Sequence, residues 1–218
     1  MIQFGMFAKH WTPGRVKTRL AASIGEELAT EFHRVCVATI VGRFASFGDR
    51  QVVGFAPPDQ EEAFQSVAGD GWTLKAQVAG DLGNRMAAYF EEAFASGATR
   101  VVLIGSDSPN MPDEFVRSAV EALANHDVVL GPSDDGGYYL IGLSKMVAEL
   151  FEDVDWGSEN VWQQSMDRLE KAGASFHKLE EWYDVDQLPD LQRLNEQLAD
   201  DPGFEELRAV VKRALAVD

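Results

Sequence analysis

Apolar positions change period along the chain in a regular order. Ile2, Phe4 and Met6 alternate with Gln3, Gly5 and Phe7, which predicts a first core strand. A polar loop at 8–19 follows. Beyond it Leu20, Ile24, Leu28, Phe32, Val35, Cys36, Ile40, Phe44 and Phe47 recur at helical spacing, predicting one long amphipathic helix that ends near Gly48. The same strand-to-helix change then repeats. Strands are predicted over 51–56, 73–78, 100–104, 127–131, 138–143 and 175–179. Helices are predicted over 58–68, from Asn84 to a stop at Gly97, from Pro112 through Leu123, over 144–151 and 158–171, and in two C-terminal segments, the first opened by Pro189.

Arg100-Val101-Val102-Leu103-Ile104 shows no alternation, the pattern of a strand covered on both faces. The two glycines of Asp134-Asp135-Gly136-Gly137 mark a tight turn and an antiparallel pair around it. Strands alternating with helices of this length predict an α/β fold with a mostly parallel, doubly covered sheet, read as one domain over 1–218. Ligands bind beyond the carboxyl ends of strands in such sheets. The loops at 8–19, 105–109, 131–137 and 182–186 are therefore expected to gather at one site.

Charge singles out the first of these loops. Residues 1–25 hold four Lys/Arg and no Asp or Glu, so with a formal net charge of −17 the other 193 residues carry −21. A basic loop in so acidic a chain points to a local anionic ligand, first of all phosphate, and the overall charge argues against a nucleic-acid polymer or an anionic membrane surface as partner. Cys36 stands alone, which excludes an internal disulfide and a thiolate cluster; it reads as a small buried hydrophobe. Met1 to Ala8 is too short for a membrane span and lacks a basic segment before it, so a cytoplasmic location is the default expectation.

The loop fits neither common phosphate motif. A dinucleotide fingerprint needs G-x-G-x-x-G after the first strand, where Lys9-His10-Trp11 stands, and a P-loop needs Gly directly before Lys-[Ser/Thr], where Val16 precedes Lys17-Thr18. What remains is a set of three cations at spacing two, Arg15, Lys17 and Arg19, and an aspartate, Asp107, just past a buried strand. Arg grips a diphosphate in bidentate fashion and Lys adds a point charge. Asp107 suits Mg²⁺ or Mn²⁺, which take one or two carboxylates plus phosphate oxygens, and Asp184 and Asp186 are candidates to complete that shell. Asp134 or Asp135 is a candidate for substrate hydroxyls. Each has a plainer competing role: Asp107 as a turn former or helix cap, Asp134 to Gly137 as a hairpin turn, Asp186 as part of the turn before the Pro189 helix, and Asp81 to Arg85 as a cap. His10, His33, His126 and His177 have no metal-ligand spacing; His10 alone lies in the basic loop.

Several segments in this order resemble a known family: Phe7-Ala8-Lys9 with Pro13-Gly14-Arg15-Val16-Lys17-Thr18-Arg19-Leu20; Gly80-Asp81-Leu82-Gly83-Asn84-Arg85-Met86; Ile104-Gly105-Ser106-Asp107-Ser108-Pro109; Leu130-Gly131-Pro132 with Asp134 to Gly142; Trp156; and Asp184-Val185-Asp186. Together they resemble bacterial GT-A-fold transferases labelled as glycosyltransferases of arsenosugar biosynthesis or of radical-SAM/selenium-linked gene clusters. The resemblance implies a three-layer, Rossmann-like nucleotide-diphospho-sugar transferase fold, with Lys9, Gly14, Arg15, Thr18, Asp81, Asn84 and Arg85 near the nucleotide and Ser106-Asp107 on a metal. It also implies substrate contacts from Asp134, Asp135, Gly136 and Gly137. The same fold is similar to that of phospholactate and molybdenum-cofactor guanylyltransferases, which transfer a nucleotide. Trp11 replaces a usual Pro of the family, and Ser108 a frequent Cys.

The expected activity is transfer of a sugar from a nucleotide-diphospho-sugar to a small acceptor with Mg²⁺ or Mn²⁺. Lys17, Arg19 and Asp107 carry the chemistry, and Asp107, Asp184 and Asp186 hold the metal. The alternatives are a nucleotidylyltransferase releasing pyrophosphate from an NTP and a non-catalytic nucleotide-binding domain.

Overall fold

Seven strands, β1 (Ile2–Lys9), β2 (Arg50–Ala56), β3 (Thr73–Ala76), β4 (Arg100–Ile104), β5 (Val128–Pro132), β6 (Tyr138–Leu143) and β7 (Phe176–Lys178), form one sheet in the order β3-β2-β1-β4-β6-β5-β7. The computed structural model describes residues 1–198 and 202–217. Pairing is parallel from β3 through β4 and between β5 and β7; β6 alone runs the other way, antiparallel to both β4 and β5. The helices are α1 (Thr18–Ile24), α2 (Glu26–Arg43), α3 (Glu61–Ala68), α4 (Leu82–Ala95), α5 (Asp113–Ala122), α6 (Val161–Ala172), α7 (Leu188–Gln197) and α8 (Glu205–Leu215). Among the described residues no helix is long and apolar enough to cross a membrane.

Both faces of the sheet are covered, and β4 shows how its sequence demands this. Val102 and Ile104 enter the cluster built with Ile40 of α2, Phe44 directly after it, Phe64 of α3 and Val116 of α5. Val101 and Leu103 enter the opposite cluster, with Met86 and Phe90 of α4 and Leu169 of α6. Successive side chains of a strand point to opposite faces, so a strand packed on two sides has no polar alternate positions. A third cluster lies outside the sheet, where Leu20 of α1 and Phe32 and Cys36 of α2 meet Leu191 of α7, Leu207 of α8, and Tyr183 and Val185.

The predicted 20–47 helix is in fact two. Gly25, at φ 86° and ψ 155°, ends α1 and precedes α2, a backbone conformation almost confined to glycine. The apolar stripe continues on both sides of the break because both helices face the third cluster, so spacing alone hides it. A Cβ on Gly25 meets nothing within 4 Å, so Gly25→Ala is a purely conformational test. It is expected to lower the unfolding free energy by about 1–3 kcal/mol; equal urea midpoints for both proteins would show that the break is not imposed by this residue.

Other corrections are smaller. The third strand stops at Ala76, and the 58–68 helix begins as a 3₁₀ turn, Pro58–Gln60. The predicted 144–151 helix is only the 3₁₀ turn Ala148–Phe151, and the next helix starts at Val161, not 158.

Candidate functional site

β1 pairs with β2 on one side and β4 on the other, so chain connections leave β1 in opposite directions and open a crevice at its carboxyl end. Met6 lies beside Ile104 in the parallel register, and the loops after β1 and β4 therefore emerge together. A third segment joins them. The amide of Trp182 donates to the carbonyl of Pro132 at 3.0 Å and that of Val185 to the carbonyl of Asp107 at 2.9 Å, laying 182–186 across the end of β5 and over Asp107. Tyr183 and Val185 are fully buried in the third cluster, which leaves the alternate residues Asp184 and Asp186 to face the crevice.

The crevice is a cleft of about 680 Å³ lined by the cations Lys9, Arg15, Lys17, Arg19 and Arg85 and the carboxylates Asp81, Asp107, Asp184 and Asp186. Lys17 lies at its centre. Its side chain is only 2 % exposed, and its ammonium contacts Asp107 Oδ1 and stands 2.9 Å from Asp186 Oδ1. Its backbone is left-handed, φ 46° and ψ 39°, at the residue capping α1. Burial works against the Lys17 charge, but Asp107 and then Asp186 outweigh it and raise the Lys17 pKa. Asp107 is likewise penalised by burial, yet Lys17 and His33 hold its carboxyl below the usual range. Lys17 is the buried member of the group, the side chains of Asp107 and Asp186 being 42 % and 41 % exposed, and it is the ammonium that would be costly to leave with no carboxylate.

Asp184 differs from Asp186. Ser108 Oγ donates to its Oδ1 at 2.6 Å and Ser133 Oγ to its Oδ2 at 3.2 Å. Burial, and then the negative charge of Asp107, push its pKa up to about 7 despite the Ser108 bond. The turn before α7 is served not by Asp186 but by Asp190, whose carboxylate accepts from the amides of Asp186 and Gln187 at 3.1 and 2.7 Å.

The remaining candidates divide. Ser106, Thr18, Lys9, Arg15, Arg19, Asp81 and Arg85 line the cleft, and the side chains of Lys9, Arg15 and Arg19 make no hydrogen bond or ion pair among the described residues. Asp81 also caps α4 with Asn84, whose amide donates to Asp81 Oδ1 at 2.8 Å, while Arg85 Nε donates to the Gly80 carbonyl at 3.0 Å. Asn84 and Gly14 are not in the cleft wall. Nor are Asp134, Asp135, Gly136 and Gly137. Asp134 pairs with Arg193 at 3.6 Å, and Asp135 Oδ1 accepts from the Gly137 amide at 3.0 Å. At Gly136, φ is 91° and a Cβ would lie 2.5 Å from the Glu159 carbonyl oxygen, so this segment is built as a turn against 159.

His33 is the site residue that spacing misses. It sits on α2, 4 % exposed, and lines the cleft. Its Nε2 donates to the Lys9 carbonyl at 2.9 Å, and its Nδ1 is buried without a partner. Burial lowers its pKa against the pull of Asp107. On the buried side of a helix, a lone His gives no signal of its own in the sequence. Trp11 is also placed: its ring stacks on His10 at 5.0 Å and packs on Phe64 at 5.1 Å, pinning the loop to the core.

Beside the cleft lies a second cavity of about 610 Å³. It shares Lys9, Arg15, Gln77 and Arg85 with the first and adds His10, Ala56, Pro57, Pro58, Val78 and Ala79, a more apolar wall.

Known structures share this architecture. A protein of Desulfovibrio desulfuricans G20, described provisionally as a nucleotide-diphospho-sugar transferase, is 32 % identical, with a TM-score of 0.92 over 99 % of this chain and 95 % of that one. Rv0371c of Mycobacterium tuberculosis H37Rv, in a complex with manganese, is 20 % identical, with a TM-score of 0.54 over 90 % of this chain and 99 % of its own. The 4-diphosphocytidyl-2C-methyl-D-erythritol synthase of Anaerococcus prevotii DSM 20548 is 9 % identical, with a TM-score of 0.58 over 87 and 94 %. The last two share the fold alone. No curated protein matches the sequence. The model of one family matches residues 43–158, and with it and the near-complete likeness to the Desulfovibrio protein, this chain belongs to the family described as "Uncharacterized protein conserved in bacteria (DUF2064)".

Proposed function

We propose that the protein is a nucleotide-dependent transferase that moves a sugar from a nucleotide-diphospho-sugar to a small acceptor. The observation that carries this reading is the pair of adjoining cavities: a polar cleft whose wall holds Lys9, Arg15 and Arg19, unpaired among the described residues, opening beside a more apolar pocket that shares Lys9 and Arg15 with it. A nucleoside base fits the apolar pocket while its diphosphate reaches Arg15, Arg19 and Lys17. The 32 % identical Desulfovibrio protein, described as a transferase of nucleotide-diphospho-sugars, favours sugar over nucleotide as the group moved.

The donor set also fits a divalent ion. Asp107 and Asp186 direct one oxygen each at a single cationic point. Among the described residues, no group of three or more His, Cys, Asp or Glu is placed to hold an ion unaided. Mg²⁺ and Mn²⁺ accept that arrangement because substrate phosphate oxygens complete their shell. When bound, the ion neutralises charge on the diphosphate. The chain's own part is to present Arg15 and Arg19 to the phosphates, to supply Lys17 as negative charge builds on the departing nucleoside diphosphate, and to fix Asp107 through the Val185 amide.

The test is direct. The protein is incubated with Mg²⁺ or Mn²⁺, panels of nucleotide sugars and NTPs, and small acceptors, and the released product is identified. Nucleoside diphosphate is expected. Pyrophosphate alone would replace this reading by nucleotidyl transfer, and tight nucleotide binding without turnover by a binding role.

A further inference from the structure

We propose that Lys17 is an internal counterion that keeps a divalent ion off the Asp107–Asp186 pair until a diphosphate arrives to take the ammonium in exchange. This rests on the reading above for what the diphosphate belongs to, but not for the exchange itself.

Three observations converge. The first is occupancy: the ammonium of Lys17 contacts the same two oxygens, Asp107 Oδ1 and Asp186 Oδ1, that an ion at this place would need. A dication and an ammonium cannot share one point between two carboxylates, since their mutual repulsion at contact distance is large. The second is confinement. With its side chain 2 % exposed and its backbone left-handed, Lys17 is fixed at the start of α1 and cannot trade its partners for water at low cost. The third is the neighbourhood. Arg15 and Arg19 stand two residues to either side, line the same cleft and have no ionic partner among the described residues. A diphosphate gripped by them lies beside Lys17.

Each of these charges has an opposite partner in both arrangements. With Lys17 between the carboxylates, one ammonium faces two aspartates, and a lone dication has to displace it from both. When ion and diphosphate enter together, the ion takes the carboxylates and the phosphate oxygens take the ammonium. Every one of these charges keeps a partner, and the ion binds as a complex with the nucleotide.

The measurement is Mn²⁺ binding by electron paramagnetic resonance, with no nucleotide present. Lys17→Met is expected to bind Mn²⁺ at least about 10-fold more tightly than the unaltered protein, ~1.4 kcal/mol, while Lys17→Arg, which keeps the charge, is expected to stay weak. Equal Mn²⁺ affinity of Lys17→Met and the unaltered protein overturns the proposal. Should Lys17→Met fail to fold, as judged by circular dichroism, the unaltered protein carrying ¹³C-labelled lysine provides the second test. The Lys17 signal is expected to hold still on adding Mg²⁺ alone and to move on adding Mg²⁺ with methylene diphosphonate; an equal shift with Mg²⁺ alone overturns the exchange. Neither readout depends on which group is transferred. Failure of every nucleotide sugar and NTP to bind or react would instead reject the functional reading and leave these results standing.

Discussion

Asp107→Asn is expected to lower turnover at least about 100-fold, ~2.7 kcal/mol of barrier, with little change in fold. Asparagine has the shape of aspartate, and the backbone carbonyl that receives the Val185 amide is untouched. What is lost is one of the two charges facing Lys17 and one of the two carboxylates offered to an ion. Both losses act on the diphosphate and on the ion that accompanies it, so the effect is expected in kcat/KM as well as in kcat. The check is steady-state kinetics with the donor identified by the product assay, beside a thermal unfolding curve. A variant within twofold of the parent, folded to the same midpoint, would remove Asp107 from the chemistry.

The second large effect concerns stability. Tyr183 is fully buried, its Oη donates to Gln197 Oε1 at 2.8 Å and accepts from Asn110 Nδ2 at 2.9 Å, and the Arg193 guanidinium lies 3.8 Å from its ring centre. Tyr183→Ala is expected to cost about 3–5 kcal/mol, from lost burial and the cavity left behind. For a chain of this length that is roughly 10 °C in Tm. Tyr183→Phe keeps the ring and removes only the hydroxyl, and about 1–3 kcal/mol is expected from the groups left unpaired. The order of the two variants matters more than either value. If alanine cost no more than phenylalanine, the anchoring of 182–186 would lie in the polar contacts and not in packing.

Much of this was legible before any coordinates. Strand and helix order followed from the change of period, because most elements bury a face and the buried face must repeat with the element's own geometry. The unbroken apolar run at 100–104 marked a strand covered on both sides, and the structure covers it so. Gly25 was illegible because helices on both sides of it serve one cluster. The site was legible as a gathering of loops, since carboxyl ends of strands lie at one edge. It was not legible as contacts. Nothing in the spacing separates Asp184, held by two serines, from Asp186, which faces Lys17. The chemistry of the 134–137 loop suits both a turn and a ligand contact, and the structure shows the turn, set against 159 and paired with Arg193.

One feature of the topology bears on how the protein is made. β6 slots between β4 and β5, so both of those strands present an open edge until residues 138–143 have left the ribosome. Lys17 and Asp186 are 169 residues apart. At about 5–20 residues per second, roughly 10–30 s of translation separate them. During that interval the nascent chain holds a lysine whose second counter-charge has not yet been synthesised and, until Leu143 has been added, a sheet whose middle is still exposed. Chains stalled before β6 should therefore depend on chaperones far more than chains stalled just after Asp186.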